Sequence, residues 1–215
     1  MSSANVKTAT KTSAWHSSGP SDGVATFRYH ERQFDLPAIK LLPGEYYVSD
    51  ENNVLVTVLG SCVAACIRDP IAGVGGMNHF MLPDTDGDLV SSSARYGSYA
   101  MELLVNELQK HGARRVNLEA KVFGGGNVLR SFTATNVGSR NAQFVKDYLA
   151  AERIQIVAQD LLDVCPRKVY YFPKTGKVLV RRLPAMTATA DLADETAYRS
   201  RLRTAPVAGD VELFD

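Results

Sequence analysis

The chain has 215 residues, 45% hydrophobic and 22% charged, with a formal net charge of +1. That is enough chain for one domain with a sizeable core, and the near-neutral balance argues against a general nucleic-acid binder. No apolar run is long enough to span a bilayer, so no membrane insertion is expected, and the N-terminal stretch MSSANVKTATKTSAWHSSGPSDG has neither the apolar segment of a secretory signal nor any arginine before Arg28. A cytoplasmic location follows. Three cysteines make no disulfide framework, so reduced thiols are expected.

In chain order, residues 1–26 are rich in Ser, Thr, Ala and Gly without apolar period and read as a disordered tail. AIKLLPGEYYVS reads as an extended segment with a Pro-Gly turn inside it, and NVLVTVLG as a buried, β-branched strand. VAACIRD and VGGMNHFML flank PIAG and read as a hairpin. SARYGSYAMELLVNELQKHG places Met101, Leu104, Val105 and Leu108 at helical spacing and stops at Gly112. VNLEAKVFGG is a strand running into the turn GGGN. NVGSRNAQFVKDYLAAE is a second helix with Phe144, Val145, Tyr148 and Leu149 on one face. IQIVAQDL is a strand, and RKVYYFPKTGKVLVRRL a hairpin turning at Pro173–Gly176. From residue 186 the chain is polar and reads as a second tail, with DETAYRSRL as a short helix in it. The expected organisation is tails at 1–26 and 186–215 around a folded region at 27–185. The expected class is α/β (mixed α+β): seven or eight strands in a mixed sheet or sandwich flanked by helices.

The chemistry concentrates in LGSCVAACIRDPIAGVGGMNHFML, which runs from Leu59 to Leu82. A four-residue turn at Pro70–Gly73 sets Asp69 opposite Val74, so Ala64 lies opposite His79 and Cys62 opposite Met81. Opposed residues, and residues two apart on a strand, share a face. Cys62 and His79 then become diagonal neighbours, roughly 7–8 Å apart between backbones. An ordinary thiol is only a few per cent thiolate at neutral pH, and an adjacent imidazole can take its proton and later protonate a leaving amine. The backbone N–H groups around Gly60 and Ser61 could face a developing oxyanion, and the Thr57 hydroxyl could orient the imidazole. Bland readings compete: a core cysteine is usually inert, and Cys66 is read as one. A zinc site from Cys62, Cys66, His79 and a distant fourth ligand matches no strong ligand spacing. FGGGN lacks the Lys-Ser/Thr continuation of a phosphate loop and reads as a tight turn.

At these residues the chain resembles CheD, the chemoreceptor glutamine deamidase family of bacterial chemotaxis. The likeness starts in VTVLGSCVAACIRDPIAGVGGMNHFMLP and continues through ARYGSYAMELLVNELQKHGARRVNLEAKVFGGGNVL and NVGSRNAQFVKDYLAAERIQIVAQDL to PRKVYYFPKTGKVLVRRL, about residues 38–183. The resemblance implies a fold like the catalytic domain of cytotoxic necrotizing factor toxins and a Cys–His–Thr triad: Cys62 as nucleophile, His79 as base, and Thr57, five residues before the cysteine, as third member. Ser61 is the alternative third member. No metal or organic cofactor is implied. The implied substrates are glutamine side chains on the cytoplasmic helical bundle of methyl-accepting receptors, deamidated through a thioester. The resemblance also implies a possible partner, the phosphatase CheC, so a binding module without catalysis is the rival reading. A cysteine protease or a transglutaminase would share the thioester chemistry. One departure from the family pattern is Leu162–Asp163, where the family often has Gly-Gly, and this loop is expected to differ; Cys165 is read as incidental.

Overall fold

A computed structural model describes residues 23–83, 90–128, 137–184 and 189–204. The β-branched and alternating stretches form ten strands: β1 (Phe27–Glu31), β2 (Leu36–Lys40), β3 (Tyr46–Ser49), β4 (Val54–Leu59), β5 (Val63–Asp69), β6 (Val74–Asn78), β7 (Glu119–Gly124), β8 (Gln155–Leu161), β9 (Arg167–Phe172) and β10 (Lys177–Arg182). Three helices accompany them: α1 (Val90–Lys110), α2 (Val137–Ala151) and α3 (Thr189–Thr204). One sheet has the order β3-β6-β5-β7-β8 and the other β1-β2-β4-β9-β10. Each contains one parallel pair, β7 with β8 and β2 with β4, so both are mixed. The architecture is the expected mixed α+β class.

Side-chain parity sorts the molecule into layers. Val63, Ala65 and Ile67 of β5 face Met101, Leu104, Val105 and Leu108 of α1 and Val145 and Leu149 of α2. The alternate residues Cys62, Ala64 and Cys66 face Leu55 and Leu59 of β4 and Val169 and Tyr171 of β9. Every residue of β4 is buried, because its other face meets Ala38, Tyr170 and neighbouring aromatics. A continuous apolar run is what such a two-sided strand requires. The helix pattern read from the sequence holds, and α1 ends where Gly112 takes φ +91°.

Three expectations are corrected. The stretch read as one extended segment is two strands in different sheets, divided at Pro43–Gly44, and with β1 it raises the strand number to ten. Within the expected N-terminal tail, Ala25 is buried and donates to the Tyr46 carbonyl at 2.9 Å; residues 1–22 lie outside the described residues. At the other end, residues 189–204 are not a free polar stretch: Glu195 and Tyr198 of α3 are buried against the domain. The remainder of the expected C-terminal tail, apart from these helical residues, lies outside the described residues. No helix among the described residues is long and apolar enough to cross a membrane.

Candidate active site

The hairpin has the register expected of a turn at residues 70–73. Asp69 pairs with Val74, Arg68 with Gly75, Ile67 with Gly76 and Cys66 with Met77. The same register continues to an isolated bridge between Val63 and Phe80. Between these two points the ladder opens, because the Asn78 side chain takes the place of a backbone acceptor and receives the Ala65 N–H at 3.0 Å. This keeps Cys62 and His79 on the face that looks toward β4. Both are buried, at 0% and 2% exposure.

Thr57 stands across from them on β4. Its Oγ1 lies 2.7 Å from His79 Nδ1 and donates to the Leu41 carbonyl at 2.9 Å. A hydroxyl has one proton, and a carbonyl can only accept, so Thr57 accepts from Nδ1–H. The imidazole is thereby held as the tautomer whose Nε2 lone pair points to the thiol side. The His79 backbone is fixed as well: its N–H donates to the Glu45 carbonyl at 2.8 Å and its carbonyl accepts from Gly44 N–H at 2.7 Å. Ser61 does not meet the imidazole bond; its Oγ donates to Glu195 at 3.2 Å.

The loop carrying Cys62 is clamped from behind by the glycine run. Gly125 N–H donates to the Cys62 carbonyl and Gly126 N–H to the Gly60 carbonyl, both at 2.7 Å. A Cβ on Gly124, which has φ +106°, would stand 2.2 Å from the Cys62 carbonyl oxygen. These amides are spent on the loop that carries Cys62, so FGGGN is a support and not a phosphate cradle. Asn141 of α2, fully buried, ties the loop to the segment after His79: it donates to the Ser61 carbonyl and accepts from Leu82 N–H, each at 2.9 Å. Arg167, also fully buried, donates to the Gly124 carbonyl at 2.8 Å and pairs with Asp160 at 3.5 Å. A cleft of about 590 Å³ opens beside His79, lined in part by Gly44, Glu45, Tyr96 and Tyr99.

The N–H groups expected to meet an oxyanion meet a carboxylate instead. Gly60 N–H donates to Glu195 Oε1 at 2.7 Å, Ser61 N–H to Oε2 at 3.0 Å, and Cys62 N–H to Oε1 at 3.4 Å. Burial first, then the charge of Glu195 and a hydrogen bond to it, push the Cys62 thiol well above its ordinary value. In this arrangement burial, and after it the negative charge of Glu195, act on the thiol in the direction opposite to the one expected from a neighbouring histidine. One ligand atom each from Cys62, His79 and Glu195 lies within 4.8 Å of the others, a set that could hold a metal ion. Both carboxylate oxygens, however, already accept backbone N–H bonds from the Gly60–Cys62 loop.

Sequence comparison locates this arrangement among known proteins. A family profile described as "CheD chemotactic sensory transduction" matches residues 81–182. A relative from Thiobacillus denitrificans, named "Probable chemoreceptor glutamine deamidase CheD", is 60% identical over 89% of this chain and 96% of its own length. The chain belongs to the CheD family. A second CheD relative with the same name, from Janthinobacterium sp., is 61% identical over 88% of this chain and 95% of its own. One from Shewanella oneidensis, named "Probable chemoreceptor glutamine deamidase CheD 1", is 55% identical over 87% and 92%. Among solved structures, the Bacillus licheniformis hypothetical protein YfiH matches with a TM-score of 0.35 at 12% identity, over 55% of this chain and 49% of that one, a likeness too slight to carry an argument.

Two features refine the reading of this CheD sequence. Leu162 and Asp163 have φ of 68° and 80°, so both positions adopt the left-handed backbone that glycine favours. Sequence reasoning also missed Glu195, Asn141 and Arg167. A polar residue inside a helix or strand carries no mark of burial, and only DETAYRSRL, read as a short helix, gave a signal for the first of them.

Proposed function

We propose that the chain is a protein-glutamine deamidase, a cysteine amidohydrolase that converts glutamine side chains of chemoreceptors to glutamate in the cytoplasm. The observation that carries the reading is the Thr57–His79 hydrogen bond of 2.7 Å on the face shared with Cys62, in a chain whose relatives are named chemoreceptor glutamine deamidases. His79 Nε2 takes the thiol proton, and Cys62 Sγ attacks the side-chain carbonyl carbon of the glutamine. The oxygen gains negative charge and is received by backbone N–H groups of the Gly60–Cys62 loop. The imidazolium returns its proton to the nitrogen, the C–N bond breaks and ammonia leaves. Water, deprotonated by His79, adds to the thioester; the C–S bond breaks and glutamate is released with the thiol restored. Each turnover adds one negative charge to the receptor. Thr57 keeps Nε2 available as the base throughout.

The test is intact-mass measurement of a cytoplasmic receptor fragment after incubation, with an expected gain of about one dalton per converted glutamine, the exchange of NH2 for OH that the thioester route requires. Cys62→Ala abolishes the gain and Cys66→Ala retains most of it. Equal loss in both folded variants would remove Cys62 from the role of nucleophile. A product carrying an added amine in place of OH would make the enzyme a transglutaminase.

A further inference from the structure

The carboxylate seated on the nucleophile loop comes from the chain's own C-terminal helix. Leu192, Glu195 and Tyr198 recur every third residue along α3 and so share one face. Leu192 lies over Gly60, where an added Cβ would stand 2.6 Å from its Cδ2. Glu195 accepts the N–H groups of Gly60, Ser61 and Cys62. Tyr198 covers Gly44, next to the turn that holds the His79 backbone, and its hydroxyl meets that of Tyr96. The opposite side of the helix, including Asp194, Thr196 and Ala197, is exposed.

We propose that α3 is a tethered product analogue: Glu195 occupies the subsite in which a receptor glutamine is hydrolysed, and the helix must leave before a substrate helix can enter. The inference rests on the deamidase reading above. Its chemistry is direct, because deamidation of a glutamine leaves a glutamate side chain, and a glutamate side chain is what the site contains. One carboxylate oxygen rests on the N–H groups of Gly60 and Cys62, where the reaction needs an oxyanion to rest. The same oxygen is 3.9 Å from His79 Nε2. Cys62 is fully buried, so no external glutamine reaches the thiol while α3 is docked. The thiol is also held in its protonated, unreactive form by that burial and by the Glu195 charge. Departure of the helix removes the Glu195 charge and the side chains that α3 lays beside the loop. The groove it vacates accepts a helix with a glutamine flanked, three residues to either side, by groups that fill the places of Leu192 and Tyr198.

The decisive experiment changes the product into a substrate. In full-length Glu195→Gln, Cys62 attacks the amide carbon of the introduced glutamine, ammonia leaves, and water hydrolyses the thioester to regenerate glutamate. Peptide mass mapping is expected to show residue 195 about one dalton heavier than the encoded glutamine, and unchanged in the double variant with Cys62→Ala. In full-length Glu195→Ala, iodoacetamide is expected to label Cys62 at least about tenfold faster than in the parent chain, with Cys165 as internal reference. An introduced glutamine that persists while the same preparation deamidates a receptor fragment overturns the product-analogue assignment alone. An unchanged labelling rate at Cys62 overturns the closure. If neither the introduced glutamine nor the receptor fragment is converted, the deamidase reading fails and takes this inference with it.

Discussion

The β5–β6 hairpin and helix α3 form opposite walls of one site by opposite means. The hairpin, with the end of β4, supplies Thr57, Cys62 and His79 from neighbouring segments of chain. All three are buried at the junction of two sheets and fixed by strand register and loop hydrogen bonds. Helix α3 supplies Glu195 from 133 residues beyond Cys62 and rests on one row of side chains. A wall built by ladder pairing in the core moves only when the domain unfolds. A wall that docks through one face of a single helix opens at much lower cost. The division suits an enzyme that must keep its catalytic geometry rigid while changing what covers it.

The largest effect is expected at Thr57. If the rigid wall orients the base, Thr57→Val keeps the β-branched shape suited to a strand and deletes the hydroxyl, with its bonds to His79 Nδ1 and to the Leu41 carbonyl. The expected result is a fall in kcat of roughly a hundredfold with little change in KM, because an orienting group acts in the transition state. Ser61→Ala is expected to be mild, since Ser61 Oγ faces Glu195 and not the imidazole. A near-normal kcat for Thr57→Val would reduce the machinery to a Cys–His dyad.

Native-state amide exchange sharpens the same contrast without touching the chemistry. Backbone amides of α3 are expected to exchange roughly a hundredfold or more faster than those of β5 and β6, whose opening requires global unfolding. Equal protection across both regions would mean that the helix is an integral part of the core. Glu195→Ala is expected to raise exchange in α3 and to leave β5 and β6 unchanged.

The smallest effect concerns the support behind the rigid wall. Leu162 has φ 68°, and its N–H donates to the Gly124 carbonyl at 2.8 Å. Leu162→Gly relieves left-handed strain but makes the unfolded chain more flexible, so a net gain of under about 1 kcal/mol is expected. For a chain of this size that is a rise in Tm of about 1–3 °C, readable by thermal denaturation. A fall in Tm would show that the Leu162 side chain contributes more than its backbone strain costs.

Much of the rigid wall was legible in the sequence because its determinants are local. The four-residue turn at 70–73 fixes the pairing sum, strand alternation then assigns faces, and a one-residue slip would have turned His79 away. The apolar run of β4 and the spacing of Met101, Leu104, Val105 and Leu108 likewise announced their elements, because burial selects residue type at fixed period. Two-sheet architecture was less legible: nothing in AIKLLPGEYYVS says that its halves join different sheets, since that depends on partners far along the chain.

What the sequence determined by itself was the class of fold, the hairpin register and the placing of Cys62 and His79 on one face, all of which follow from period, parity and turn length. Tertiary structure alone decided that FGGGN serves the loop carrying Cys62, that Asn141 and Arg167 brace it, and that a glutamate from a polar C-terminal stretch is seated on it. A buried hydrogen bond leaves no periodic trace in its partners. The seat of Glu195 exists only once three backbone N–H groups, fixed by distant strands, converge on one point.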